Sequence, residues 1–314
     1  MSILLATTGW DAEPWLARMR ALLPDHAIAT PETLGDRAAI RYALSWRHAP
    51  GALARLPNLQ AIFSLGAGVD HLFADPLLPD APIVRVVDPD LRDRMSEWVV
   101  MHALMHLRQQ KRYARHQAAR LWEDDDNQPA AREIRVGALG LGVLGADAAR
   151  KLAAIGFDVA GWSRAPRAGE GLVRYHGPNG LGAMLGRTDL LVCLLPLTPE
   201  TRGILSAGLF ARLARDGRLG GPILINAGRG GLQVEADIFA ALDSGMLKAA
   251  SLDVFEVEPL PASSPLWAHP NVYLSPHNSA ISQPQAIAGY IARQIKAFEA
   301  GAPLENVVDR RREY

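Results

Sequence analysis

With 33 Lys plus Arg against 33 Asp plus Glu over 314 residues, the chain has no net charge, so non-specific nucleic-acid binding has no electrostatic footprint. Hydrophobic residues at 49% exclude disorder, and this length favours two domains over one. A single cysteine, Cys193, excludes a disulfide framework and a multi-cysteine zinc site.

The first eight residues lack a basic start and a long apolar stretch, so they read as a strand and not a signal peptide. No run approaches a membrane span, and a soluble cytoplasmic protein without membrane partners is expected. Residues 2–7 predict a strand, and 11–23 a helix that tolerates Pro14 in its first turn. Strands follow at 41–46, 60–65 and 82–87, with a short helix at 51–56. The first ~90 residues thus alternate strand and helix, the signature of a parallel sheet. The strand at 60–65 runs into Gly66-Ala67-Gly68-Val69-Asp70. Two readings stand for that turn: a nest of backbone N–H groups for a small anion, or a plain turn.

Helical spacing runs from 91 to 122, and its body is expected to form a dimer surface. His102 and His106 share one face of it. A metal pair would need a third ligand, and none is evident, so a packed or interfacial helix is the better reading. Residues 123–126, Glu-Asp-Asp-Asp, read as a solvated loop.

A second strand–helix series opens at 134–145, Ile-Arg-Val-Gly-Ala-Leu-Gly-Leu-Gly-Val-Leu-Gly. A buried strand enters the turn Gly140-Leu141-Gly142-Val143-Leu144-Gly145, and an apolar helix follows at 148–155. In that context G-x-G-x-x-G is the dinucleotide fingerprint. Gly140 makes the tight turn, Gly142 leaves space for a pyrophosphate, and Gly145 lets helix and strand approach. The helix start offers N–H groups and a positive dipole end to the phosphates. The next strand, 156–162, ends in Trp162-Ser163-Arg164-Ala165-Pro166-Arg167. An NAD site wants an acid there for the ribose hydroxyls, and Asp158 lies too early. Ser163, Arg164 and Arg167 instead suit a 2′-phosphate, so NADP(H) is preferred, with NAD(H) also admitted.

Four more strands follow, at 190–195, 221–226, 247–254 and 271–274. Each leaves a polar or glycine-rich loop at its carboxyl end, the edge where open α/β sheets bind ligands. Three loops each carry an ionisable residue: Arg229, Glu258 and His277. Arg229 can fork a carboxylate. His277, set after Pro276, can exchange a proton near neutral pH. Glu258 can bond the other imidazole nitrogen and favour the charged ring. Cys193 reads as a buried strand thiol, and residues 283–300 as an amphipathic helix.

Nearly the whole chain resembles the D-isomer-specific 2-hydroxyacid dehydrogenases. The resemblance is carried by the glycine turn at 140–145, Leu195-Pro196-Leu-Thr-Pro-Glu-Thr201, Asn226-Ala227-Gly228-Arg229-Gly230, the run 252–261 and Ser275-Pro276-His277. The 65–70 turn, Trp162-Ser163-Arg164, Ser264-Pro-Leu-Trp267 and Val308-Asp-Arg310 point to its glyoxylate/hydroxypyruvate reductase branch. The resemblance implies an α/β protein of two doubly wound parallel-sheet domains. A Rossmann nucleotide domain (98–282) would be inserted into a discontinuous flavodoxin-like substrate domain (1–97 and 283–314). Arg229 would clamp the substrate carboxylate, His277 would donate the proton, and Glu258 would pair with it. Gly140, Leu141, Gly142, Val143, Leu144, Gly145, Trp162, Leu195, Pro196, Ala227, Gly228 and Asp253 would face the cofactor. Trp46, Ala67, Gly68, Val69 and Trp267 would meet the substrate. Gly228 and Asn278 depart from the usual family residues.

The expected activity is therefore NADPH-dependent reduction of glyoxylate or hydroxypyruvate by a homodimer, with no metal. Hydride would pass to C2 while His277 protonates the oxygen. Two alternatives are a reductase of a larger 2-ketoacid such as phenylpyruvate, and a non-catalytic nucleotide-sensing protein on the same fold.

Overall fold

The structure, a computed structural model, describes residues 2–126, 128–166 and 171–314. Arg167 lies outside them. Two compact units divide the chain: Met1–Leu91 with Ile281–Tyr314, and Arg92–Ala280. The chain passes from the first unit to the second between Leu91 and Arg92 and returns between Ala280 and Ile281.

The first unit begins with β1 (Ser2–Thr7), α1 (Glu13–Leu22), β2 (Ala27–Ala29), β3 (Ile40–Trp46), β4 (Ala61–Ser64), α2 (Asp70–Phe73) and β5 (Ile83–Val84). Its strands are parallel in the order β2-β1-β3-β4-β5, the flavodoxin-like arrangement. Every residue of β4 is buried, as expected of a parallel strand covered on both faces. Two expectations fail here. Residues 51–56 are consecutive turns and not a helix: Ala52 N donates to Ala49 O, Ala54 N to Gly51 O, and Gly51 and Arg55 have φ of +75° and +59°. The strand expected at 82–87 shortens to Ile83–Val84. Beyond it the backbone pairs elsewhere, with Arg85 N donating to Asn306 O and Val84 bridging Val307 antiparallel. The tail thereby covers an open sheet edge.

The expected 91–122 helix is two helices, α3 (Pro89–Leu107) and α4 (Gln110–Ala118), broken where Gln109 turns left-handed at φ +52°. The second unit continues with β6 (Arg135–Leu139), α5 (Val143–Ile155), β7 (Asp158–Ser163), β8 (Val173–His176), α6 (Gly177–Leu185), β9 (Leu190–Cys193), α7 (Ala207–Phe210), β10 (Ile223–Asn226), α8 (Glu235–Asp243), β11 (Ala249–Leu252) and β12 (Val272–Leu274). The parallel order is β12-β11-β10-β9-β6-β7-β8. Counted from β6, this is the doubly wound 3-2-1-4-5-6 order with one strand added. The order reverses between β6 and β9, the switch point at which such sheets open a crevice.

Side chains alternate across this sheet. Val136 and Ala138 of β6 join the core beneath α3 and α5, which includes Val99, Ala103, Ala148 and Leu152. Leu139, Cys193 and Leu224 join the core on the other face with Met184, Phe210 and Ile238. Burial pushes the Cys193 thiol up to about 12, so it stays protonated and inert. The last helix, α9 (Pro284–Glu299), packs on α1 of the first unit and buries Ile287, Ile291 and Ile295.

Candidate active site

The glycine turn is built from three different constraints. Gly140 has φ +96°, and a Cβ there would press on the Leu194 carbonyl at 2.8 Å. A Cβ on Gly145 would overlap the Gly140 carbonyl oxygen, so only glycine lets α5 start this close to β6. A Cβ on Gly142 would meet nothing within 4 Å: the space in front of it is open. Gly142 is also the N-cap of α5, and no side chain caps that helix. An open cradle before uncapped N–H groups is what a pyrophosphate requires, so these residues fit a dinucleotide. Leu141 turns inward, buried against Gly161 of β7, while Val143 stays exposed.

The end of β7 is more specific. Trp162 is buried and its indole N–H donates to Gly177 O at 2.8 Å, so its ring belongs to the core. The Ser163 hydroxyl donates to Ala165 O at 2.8 Å. Arg164 is exposed, and its charge helps hold the Glu200 carboxyl low, after the larger effect of the Thr198 hydroxyl. Asp158, at the start of β7, is paired with Arg187. The described residues at the end of β7, Ser163 to Pro166, therefore carry a hydroxyl and a guanidinium and no acid of their own. Glu200, from the loop after β9, is the nearby carboxylate that spacing alone did not reveal.

Arg229 follows β10 on a loop held by amides. Asn226 accepts from Gly228 N at 3.0 Å and donates to Gln233 Oε1 at 2.8 Å, and Gln233 donates to Val254 O at 3.0 Å. Both amides are buried. A Cβ on Gly228 would lie 2.8 Å from Leu232 and 2.9 Å from the Leu195 carbonyl, which explains glycine at this position. Gly230 presses on the Phe255 carbonyl in the same way. The Arg229 guanidinium donates to Gly228 O at 2.8 Å.

His277 and Glu258 meet. Imidazole Nδ1 lies 2.8 and 3.0 Å from the two Glu258 oxygens. Facing a carboxylate, Nδ1 is the donor, and Nε2 makes no hydrogen bond among the described residues. His277 itself is left-handed at φ +53°, a conformation few non-glycine residues adopt. Asp253 holds it there. This carboxylate is fully buried, at 0% exposure. It accepts from Ser275 Oγ at 2.6 Å, Asn278 N at 3.0 Å and Ser279 N at 3.0 Å, while its own carbonyl accepts from His277 N at 2.8 Å. Asp253 thus anchors the histidine loop. Trp267, in the same unit, is 57% exposed and donates to Pro261 O.

In the first unit, the 66–69 turn is braced by Ser64. Its hydroxyl accepts from Gly66 N at 3.2 Å, donates to Gly68 O at 2.9 Å and contacts His71 Nε2 at 3.2 Å. Val69 is buried, and Ala67 and Gly68 are half-buried. Trp46 lies over Gly66, where no Cβ would fit. Ser64 and His71 escaped the sequence reading because neither stands in a recognisable motif.

His102 and His106 bond the same hydroxyl. Ser251 Oγ lies 2.8 Å from His102 Nδ1 and 2.8 Å from His106 Nε2. Burial pushes the two imidazoles down to about 4 and about 3. They form a neutral packed pair on the inner face of α3.

Comparison with known proteins follows the same lines. A family model, D-isomer specific 2-hydroxyacid dehydrogenase, NAD binding domain, matches residues 100–279. Glyoxylate/hydroxypyruvate reductase A of Serratia proteamaculans is 39% identical over 98% of both chains. A solved NADPH-dependent glyoxylate/hydroxypyruvate reductase of Sinorhizobium meliloti, in complex with NADP and sulfate, is 49% identical with a TM-score of 0.94, over 100% of this chain and 99% of that one. A D-isomer specific 2-hydroxyacid dehydrogenase of Xanthobacter autotrophicus Py2, in complex with NADPH and MES, is 42% identical with a TM-score of 0.93 over the same shares.

Proposed function

The chain belongs to the D-isomer specific 2-hydroxyacid dehydrogenase family, in its glyoxylate/hydroxypyruvate reductase branch, and from this premise we infer that it reduces small 2-ketoacids with NADPH. Membership makes it an NAD(P)-dependent oxidoreductase. Glyoxylate and hydroxypyruvate are the proposed substrates, with glycolate and glycerate as products. The observation that carries the reading is the Glu258–His277 pair, with Nδ1 held and Nε2 left to the substrate.

When bound, the reduced nicotinamide supplies a hydride to the substrate's C2. His277 delivers a proton from Nε2 to the carbonyl oxygen, while Glu258 stabilises the charged ring before transfer. Arg229 is proposed to fork a substrate carboxylate after leaving Gly228 O; within the first unit, the backbone of Ala67, Gly68 and Val69 is proposed as carboxylate-binding. Trp46 in the first unit and Trp267 in the second are each proposed as substrate-contacting residues. The 140–145 turn, Leu195, Pro196, Ala227 and Gly228 are the proposed cofactor contacts, with Ser163 and Arg164 at the 2′-phosphate. NADP preference is supported by the absence of an acid from Ser163 to Pro166 at the end of β7 and by the NADP and NADPH bound in the related structures. Asp253 reaches the cofactor only through the loop it anchors.

We propose a homodimer as well, on the exposed Met101 of α3 and the Leu121–Trp122 pair that follows α4, Trp122 being 100% exposed.

The decisive measurement is NADPH and NADH oxidation with glyoxylate, hydroxypyruvate and phenylpyruvate. Rapid NADPH turnover with the two small acids is expected. Tight NADPH binding without turnover of any 2-ketoacid would replace this reading with a nucleotide sensor.

A further inference from the structure

We propose that Trp10 is a specificity-determining residue. By stacking on Trp46 it fixes the aromatic wall beside the 66–69 turn and restricts the enzyme to 2-ketoacids with short side chains. The proposal rests on the reductase reading and says which substrates that site admits.

Three indoles stand in series after the first strands. Trp10, in the loop after β1, stacks on Trp46 at the end of β3, with ring centroids 5.0 Å apart and planes 18° from parallel. Its other face stacks on Trp15 of α1 at 5.7 Å and 9°. Trp15 is buried, so the stack is rooted in the core of this unit. Trp46 is held on its remaining sides too. Its six-membered ring lies against Gly66, close enough that any side chain there would collide with it. His71 meets it at 4.8 Å and 58°, and the Arg47 guanidinium carbon lies 5.9 Å from the ring centre. An indole changes position by jumping between discrete rotamers, and each jump of Trp46 would break the stack with Trp10.

The wall and the turn are also tied together. Ser64, which braces the turn, contacts His71, and Arg47 N donates to His71 Nδ1 at 3.3 Å. A wall pressed on the first residue of a carboxylate-binding turn meets the atoms next to the carboxylate first. Rigidity there discriminates by size: glyoxylate and hydroxypyruvate fit, and an aromatic side chain requires Trp46 to move. Trp10 is a positioning residue that acts through its stack on Trp46.

The test compares kcat/KM for phenylpyruvate and glyoxylate, with NADPH, in the full-length protein. Trp10→Leu and Trp10→Ala should shift the ratio at least about tenfold toward phenylpyruvate, the scale at which pocket shape discriminates side chains. The KM for NADPH should not change. Trp10→Phe, which keeps an aromatic face on Trp46, should stay near the parent ratio. In a Trp46→Ala background, Trp10→Leu should add nothing further, a non-additivity that loss of fold stability would not produce. A folded Trp10→Leu with the parent ratio overturns the proposal, as does a parent enzyme that already prefers phenylpyruvate. A parent that reduces no 2-ketoacid overturns the reductase reading instead.

Discussion

At the scale of the residue, each group of the site owes its position to a short sequence device. His277 follows proline and sits left-handed, so its imidazole points where Glu258 can take Nδ1. His277→Ala should lower kcat by about 10²–10⁴-fold, the usual share of general acid catalysis, in steady-state assays with glyoxylate. Near-normal turnover would remove it as the proton donor. Arg164 follows β7 with no acid beside it in sequence and with Glu200 as its electrostatic neighbour. Arg164→Asp places a carboxylate where a 2′-phosphate would go. The kcat/KM ratio of NADH to NADPH should therefore rise at least about tenfold, the worth of roughly 1.4 kcal/mol. Glu258 and His277 were legible because each stands beside a proline after a buried strand. Ser251 was not: a lone polar residue within an apolar strand gives no sign of its partners, and His102 and His106 lie far away in sequence.

The elements carry two further consequences. Loop 275–279 is organised by one buried carboxylate, and Asn in its place could not accept from all the donors now facing Asp253. A buried N–H left without a partner costs about 1–3 kcal/mol. Asp253→Asn should therefore lower kcat and speed amide exchange at Asn278 and Ser279, which mass spectrometry would detect; unchanged exchange would remove its anchoring role. The second consequence concerns α3 and β11. His102 and His106 are held neutral, at about 4 and about 3 against an unfolded value near ~6.5. The unfolded chain binds these protons first, so their contribution is complete above about pH 6.5 and is lost progressively as pH falls toward about 3. The denaturant midpoint should fall across that window, and His102→Gln/His106→Gln should flatten the fall. Helix boundaries were less legible than helix faces. Nothing in the composition around Gln109 announces the break between α3 and α4, since neither glycine nor proline stands there. Strand β8 escaped notice because, at the sheet edge, it has no fully buried residue to make an apolar run. Central strands such as β9 and β10, buried at every position, read clearly.

At the scale of the whole molecule, the two parallel sheets follow from strand and helix alternating along both halves of the sequence. The strand order within each sheet does not follow from that alternation, because it depends on pairings distant in sequence. The proposed association is tested by light scattering: a particle of twice 33.9 kDa is expected, and Trp122→Asp should return it toward the single-chain mass. A single-chain mass for the parent would withdraw the dimer. The return of α9 to the first unit also bears on biosynthesis. A ribosome delivers Arg92–Ala280 as a finished unit while the first unit still lacks the helix that packs on α1. Until α9 emerges, α1 waits without the helix that packs on it. The nascent first unit is then a client for chaperones, and a message truncated before the codons of α9 yields a product fit for proteolysis.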